Sequence, residues 1–161
     1  MSTTPDLDRT DFAILGLLMR DAWLSNKEIA AAVGLAPSSC HERLKTLRDR
    51  GVVLGAHADI DLRSIGVALE ALLFVQVTKL ETSQVDEFMR ITAEVREVRT
   101  VFLVSGHFDL IVHVAVCDME RLKHLISDHF HRHPFVVRVE TSVVFNREVQ
   151  HEIPLSGRID C

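Results

Sequence analysis

Two stretches of this sequence gather polar side chains in patterns suited to recognising another molecule rather than to breaking bonds. The first is Ser38-Ser39-Cys40-His41-Glu42-Arg43-Leu44-Lys45. On a helical wheel, Cys40, Leu44 and Leu47 share one side, Ser38, His41, Glu42 and Lys45 project roughly opposite, and Ser39 lies in the exposed first turn. Short hydroxyls at a helix start suit phosphate oxygens, because free amides and the helix dipole already favour an anion there. Lys45 can reach a phosphate or guanine and His41 a base or phosphate, while Glu42 repels phosphate unless it accepts from a cytosine amine or orients Arg43. Asn26 and Lys27, at the start of the preceding helix, are candidate backbone contacts. The second stretch is Ser105-Gly106-His107-Phe108-Asp109. Ser105 and Gly106 can present backbone amides to a carboxylate, and Asp109 can accept from an ammonium, a pairing matched to a zwitterionic amino acid. The plainer reading is a structural turn in which Asp109 caps local amides.

Other chemistry is poorly supported. No nucleophile–base pair, glycine-rich phosphate loop or metal triad stands out, so neither an enzyme nor a cofactor is expected. His129 and His133 have the spacing of a helical metal pair, but Pro134 follows directly. A solvated surface is expected for His124, His129, His131 and His133, with pH-sensitive association as the other use of such a cluster. Cys40, Cys117 and Cys161 are odd in number and far apart, with no CxxC pair; Cys40 and Cys117 are expected to be small buried apolar residues.

The elements that must position these residues can be read from periodicity. Leu7, Phe12, Leu15 and Met19, with Ile14 and Leu18 beside them, form a helical stripe that Asp8 can cap. Ser25-Asn26-Lys27-Glu28 is a capping box opening a second helix that stops at Gly34. Pro37 suits the first turn of a third helix, ending near Gly51. A helix, the turn Gly34-Leu35-Ala36-Pro37 and a second helix make a helix-turn-helix, whose second helix enters the major groove. A plain packing or dimerisation domain would share this pattern. Residues 52–54 and 58–62 are expected to pair as a small hairpin, followed by a linker over 63–67 with a hinge point at Gly66.

From Ala68 the expected order is strand, helix, strand, strand, helix, strand. Strands fall at 69–77, 98–104, 110–116 and 136–145. Ser83 with Asp86 or Glu87 opens one helix, whose inward residues are Val85, Phe88, Met89 and Ile91. Asp118 caps the other, with Met119, Leu122, Leu125 and Ile126 inward and Pro134 as its stop. This βαββαβ order is the ferredoxin-like split motif of an α+β fold. Its helices cover one sheet face only, and self-association is the simplest cover for the other.

Composition is that of a soluble globular chain, 47% hydrophobic and 25% charged. Apolar runs such as 71–75 and 101–104 are far too short to cross a bilayer, so no membrane association is expected. Residues 1–11 are acidic and polar, unlike a secretory leader, and point to the cytoplasm. Through Ala56, seven Lys/Arg balance seven Asp/Glu; eleven against sixteen in the remainder give the net charge of −5. That balance disfavours indiscriminate coating of nucleic acid and suits a few locally placed cations acting in several copies.

The run from Gly34 to Leu44, continued by Leu47-Arg48-Asp49-Arg50-Gly51-Val52-Val53, resembles the "GLSxxxCxxRxxxLExxGxI" pattern of the Lrp/AsnC family of transcription regulators. Leu7-Asp8-Arg9-Thr10-Asp11 resembles that family's "LDxxD" start, and Leu103-Val104-Ser105-Gly106-His107-Phe108-Asp109 its "xxSGxxD" signature. Ala36 stands where the family often has Ser, and His107 where an acidic or polar residue is frequent. The resemblance implies a winged helix-turn-helix domain (1–56) for double-stranded DNA, a hairpin and hinge linker (57–67), and a βαββαβ effector and oligomerisation domain (68–161). It further implies dimers formed through the sheets, assembly to octamers, and an amino acid or related small metabolite bound where dimers meet. Leu103, Val104 and His107 would then line the cleft with Ser105, Gly106 and Asp109, and His131, Thr141, Ser142 and Val143 would be further contributors. Two other readings remain: an architectural DNA-binding protein without effector response, and a small-molecule-binding ferredoxin-like protein that binds no DNA.

Overall fold

The computed structural model describes residues 6–78 and 81–151. The described residues divide into two compact units: 6–59 together with 148–151, and 60–78 together with 81–147.

The first unit contains α1 (Arg9–Arg20), α2 (Asn26–Val33) and α3 (Pro37–Asp49). Each begins as local chemistry dictates. Asp8 accepts from Asp11 N at 2.8 Å while Asp11 accepts from Asp8 N at 3.1 Å, a reciprocal cap on α1. Ser25 and Glu28 do the same for α2, which exits through Gly34 at φ 71°. Between α2 and α3 the turn is tight, and Pro37 occupies the first helical position of α3, where its lack of an N–H costs nothing. Ile14, Ile29, Ala30, Cys40, Leu44 and Leu47 form the buried core, with Leu7, Leu15, Leu18 and Val33 packed around it.

The hairpin expected over 52–62 does not form: no strand occurs there. Gly51 turns left-handed at φ 68°, and Val52 N and Val53 N both donate to Leu47 O, at 2.9 and 3.2 Å. This draws the two valines back onto the helical core instead of into a ladder. Beyond them Leu54 is 93% exposed, and Gly55-Ala56-His57-Ala58-Asp59 has little apolar surface to bury. The linker expected over 63–67 is a short 3₁₀ turn, Arg63–Ile65, closed by Gly66 at φ 85°.

The second unit is a four-stranded antiparallel sheet with two helices: β1 (Leu69–Val77), α4 (Thr82–Ala93), β2 (Val98–Leu103), β3 (Leu110–Val116), α5 (Met119–Leu125) and β4 (Val136–Val144). Strand order is β2-β3-β1-β4, the ferredoxin-like arrangement. Alternation sorts β1 cleanly: Ala71, Leu73 and Val75 are buried beneath the helices with Leu110, Val112, Val114 and Val116, against Phe88, Leu122, Leu125 and Phe130. The opposite face presents Leu72, Phe74, Ile111 and His113, has no helix of its own unit laid on it, and places His113 Nε2 2.8 Å from Glu70 Oε2.

Several expectations are corrected here. Gln84 Oε1 accepts from Glu81 N at 3.0 Å, so the cap of α4 lies at Glu81 rather than Ser83. Met119 is 58% exposed instead of inward, because only Leu122 and Leu125 face the sheet fully. Cys117 is exposed beside Asp118, whereas Cys40 is buried as expected. Before Pro134 can stop it, α5 widens into a π-helical turn, Ile126–Phe130, in which His131 N donates to Ile126 O at 3.0 Å. His129 and His133 are not solvated surface residues. They close an aromatic cluster on Phe88, with ring centroids 6.2 and 5.0 Å from it, and Phe135 also packs there at 5.1 Å. His129 Nε2 lies 3.0 Å from the hydroxyl of buried Thr92. Burial, followed by the nearby His133 and Arg132, lowers the His129 pKa from its usual value.

Candidate functional site

The polar side of α3 is exposed as its periodicity requires. Ser38, Ser39, His41, Glu42 and Lys45 all face solvent, opposite Cys40, Leu44 and Leu47, which are at most 4% exposed. Lys27 is also exposed at the start of α2. Asn26 behaves differently. Its Nδ2 donates to Pro37 O at 2.8 Å, tying the first turn of α2 to the first turn of α3, so this side chain sets the angle between the two helices. Ala36 provides no side-chain cap to α3.

Arg43 belongs to the machinery, although the sequence named it only as a partner of Glu42. Its Nη1 donates to Asp8 Oδ2 at 2.7 Å and to Asp11 Oδ1 at 2.8 Å, fastening α3 to the capped start of α1. The Asp8 carboxyl is held below the usual range, first by Asp11 N and then by Arg43, and the two carboxylates raise the Arg43 pKa. Arg43 is thereby directed away from the solvent-facing row of α3. The only signal in the sequence is the pair of aspartates near residue 10; nothing local connects them to a residue more than thirty positions later.

The second polar stretch lies where β2 turns into β3. Val104 N donates to Asp109 O at 2.9 Å to close the turn, and Gly106 adopts φ 127°, a conformation strained for any other residue. Ser105, Gly106 and His107 are exposed, and Leu103 is 56% exposed. Asp109 caps no neighbouring amide with its side chain. Its Oδ2 accepts from Val77 N at 2.8 Å, and its own N–H donates to Val75 O at 3.0 Å, bracing the end of β1. His107 packs edge-on against Phe108 at 4.9 Å, and Phe108 against Phe74 at 5.5 Å.

The remaining residues expected at an effector site lie elsewhere. His131 and Thr141 line a groove of about 400 Å³ with α5. Register pairs Val143 with Ala71 on the helix-covered side and Ser142 with Leu72 on the other. The Ser105–Asp109 turn joins β2 to β3 and reaches β1 through Asp109, while the groove lies between α5 and β4, which borders β1 on its other side.

Comparison with known proteins accounts for both units. Residues 7–53 match the family described as winged helix-turn-helix DNA-binding, and residues 70–154 match the Lrp/AsnC ligand binding domain. The chain is 34% identical over 140 residues to the HTH-type transcriptional regulator AldR of Mycobacterium tuberculosis, covering 87% of this chain and 78% of AldR. It is 34% identical over 148 residues to the leucine-responsive regulatory protein of Salmonella typhimurium, covering 90% and 88%. Among solved structures, a transcriptional regulator from Neisseria meningitidis in complex with L-methionine aligns with a TM-score of 0.81 at 30% identity, covering 94% of this chain and 98% of that one. These matches span both the helices that present the α3 face and the sheet that holds the turn and the groove. The chain therefore belongs to the Lrp/AsnC family of transcriptional regulators, with a helix-turn-helix DNA-binding unit and a ligand-binding α+β unit.

Proposed function

We propose that this protein regulates transcription by placing the exposed side of α3 in the major groove of duplex DNA, and that an amino acid or related small metabolite modulates that binding. The observation that carries the reading is the division of α3 itself: Cys40, Leu44 and Leu47 are buried while Ser38, Ser39, His41, Glu42 and Lys45 are exposed. Ser38, Ser39 and Lys27 contact phosphates, His41, Glu42 and Lys45 address base edges or phosphates, and Asn26 holds the angle between the helices. Residues 1–56 read DNA, 57–67 connect, and 68–161 sense the effector and assemble.

Assembly is by copies of the same chain, with dimers covering the exposed sheet face and octamers built from them. Several DNA-reading units then act together, so each needs only modest affinity. A second copy also brings one chain's Ser105–Asp109 turn towards another chain's His131 and Thr141, with Leu103, Val104, Ser142 and Val143 around them. Such a site would bias the assembly only through different affinities for its states. The methionine complex of the Neisseria regulator supports an effector of amino-acid size. The protein acts in the cytoplasm.

Gel retardation with duplexes from the gene's own upstream region tests this reading, run at low and moderate salt with and without each amino acid. Preferential, salt-sensitive retardation of one roughly two-fold symmetric duplex is expected, shifted by at least one effector. Equal retardation of scrambled duplexes with no effector response would favour an architectural role, and no retardation at low salt would overturn DNA binding.

A further inference from the structure

Trp23 is the one tryptophan of a sequence without tyrosine, and it stands 85% exposed between α1 and α2. The chain around it is held in place. Asp21 N donates to Leu17 O at 2.9 Å, Trp23 N donates to Asp21 Oδ1 at 2.8 Å, and Leu24 packs against the helical core. The indole is thus offered to solvent from a fixed backbone. Lone exposed apolar side chains are common on protein surfaces, so exposure by itself assigns no partner.

Position does. Ser25 caps α2, and two residues of chain place the Trp23 Cα at most about 7 Å from that cap. Asn26 then ties the first turn of α2 to the first turn of α3 through Pro37 O at 2.8 Å. In a helix-turn-helix the start of the second helix enters the major groove, while the helix before it crosses the DNA backbone. Lys27, Ser38 and Ser39 are exposed at this same end of the helical unit, and Trp23 continues it.

An indole suits the DNA backbone. Its N–H is a donor only, matched to a phosphate oxygen, and its ring face can cover the apolar side of a deoxyribose. Asp21, the nearest acid in sequence, already has one carboxylate oxygen engaged with the Trp23 amide. A tryptophan anchoring a protein partner usually sits within a wider, well-packed patch. Trp23 instead has exposed Asp21, Ala22 and Ser25 beside it in the chain. We propose that Trp23 packs on the deoxyribose–phosphate backbone at the border of the site read by α3, donating its indole N–H to a phosphate. This rests on the DNA-binding reading above and extends the interface ahead of α2.

Tryptophan emission from the full-length protein comes from Trp23 alone, so the contact carries its own probe. Acrylamide should quench the free protein readily, and saturation with a duplex from the gene's own upstream region should protect it severalfold. In gel retardation, Trp23→Ala should weaken binding about tenfold, to matched and scrambled duplexes alike, with unchanged Tm and salt slope. Trp23→Phe should recover part of the affinity, and Trp23→Arg should recover it with a salt slope steeper by about one. Full affinity in Trp23→Ala, or quenching left unaltered by a duplex that the protein retards, would overturn the assignment. Protection that arises on concentrating the protein without DNA would also overturn it, giving Trp23 to a contact between copies of the chain. So would a Trp23→Ala protein that keeps its duplex affinity but no longer alters transcription by purified RNA polymerase. Failure of the parent to retard any duplex sinks the regulatory reading and this contact together, whereas retardation without protection of Trp23 sinks this contact alone.

Discussion

Among the described residues, the core cluster of the helical unit holds six buried side chains, two of them as small as Ala30 and Cys40, whereas that of the sheet unit holds eleven, including Phe88, Phe130 and a run of valines and leucines. What the smaller core lacks in apolar area is met by directed polar contacts between helices: Arg43 to Asp8 and Asp11, and Asn26 to Pro37. In the sheet unit Arg90 pairs with Glu87 and Glu94 within α4, and Arg121 of α5 pairs with Glu97 ahead of β2, beside a core already filled by apolar side chains. A domain this small cannot rely on burial alone. Its polar residues therefore divide into those that fix the helices and those left free to meet a partner, and the two kinds are neighbours on α3.

Four measurements break or sharpen that contrast. Phe88→Ala should be the most damaging, costing about 3–5 kcal/mol in urea denaturation, because Phe88 is 2% exposed and centres the aromatic cluster. A cost below that of an ordinary surface change would mean the sheet core is not the stabilising element described. Arg43→Met comes next, with a drop of a few degrees in calorimetric Tm and weakened DNA binding through misplacement of α3. An unchanged Tm together with unchanged affinity would remove the bracing role. The third effect is a modest pH dependence from His129. Its folded pKa lies below the usual 6.5, so the unfolded chain takes up the proton first. This contribution is complete above that value and declines as pH falls below it. His129→Gln should flatten the stability profile between neutral and mildly acidic pH; a mutant profile parallel to the parent's would assign the dependence elsewhere. Least of all for stability is Lys45→Ala, within about 0.5 kcal/mol of the parent. The same change should lower DNA affinity roughly tenfold and reduce the salt slope by about one. A stability loss larger than that of Arg43→Met would reverse the division between bracing and reading residues.

Much of this is legible in the sequence. Caps, turns and stripes are local: Asp8, Ser25, Gly34 and Pro37 announced the helices, and period-two alternation announced β1. The failures share a cause in longer range or competition. Val52 and Val53 have strand-forming side chains, but the nearby helical core claimed them first. His129 and His133 looked like solvated polar residues until Phe88, some forty positions earlier, supplied a ring for both to pack on. The bond from Asp109 to Val77 spans thirty-two positions and has no local signature. Exposed residues of α3 were identified correctly as a surface, but Arg43 and Asn26 show that a charge or amide on a reading helix need not read anything.

The proposed site has a consequence for signalling. Where one chain's Ser105–Asp109 turn meets another chain's His131 and Thr141, as proposed, the ligand is shared between chains. Such a ligand is then linked by mass action to association itself: raising the abundance of the regulator does the same work as raising the metabolite. A cell making more of this protein would lower the metabolite level at which its genes respond, so expression of the regulator becomes a setting of its own threshold.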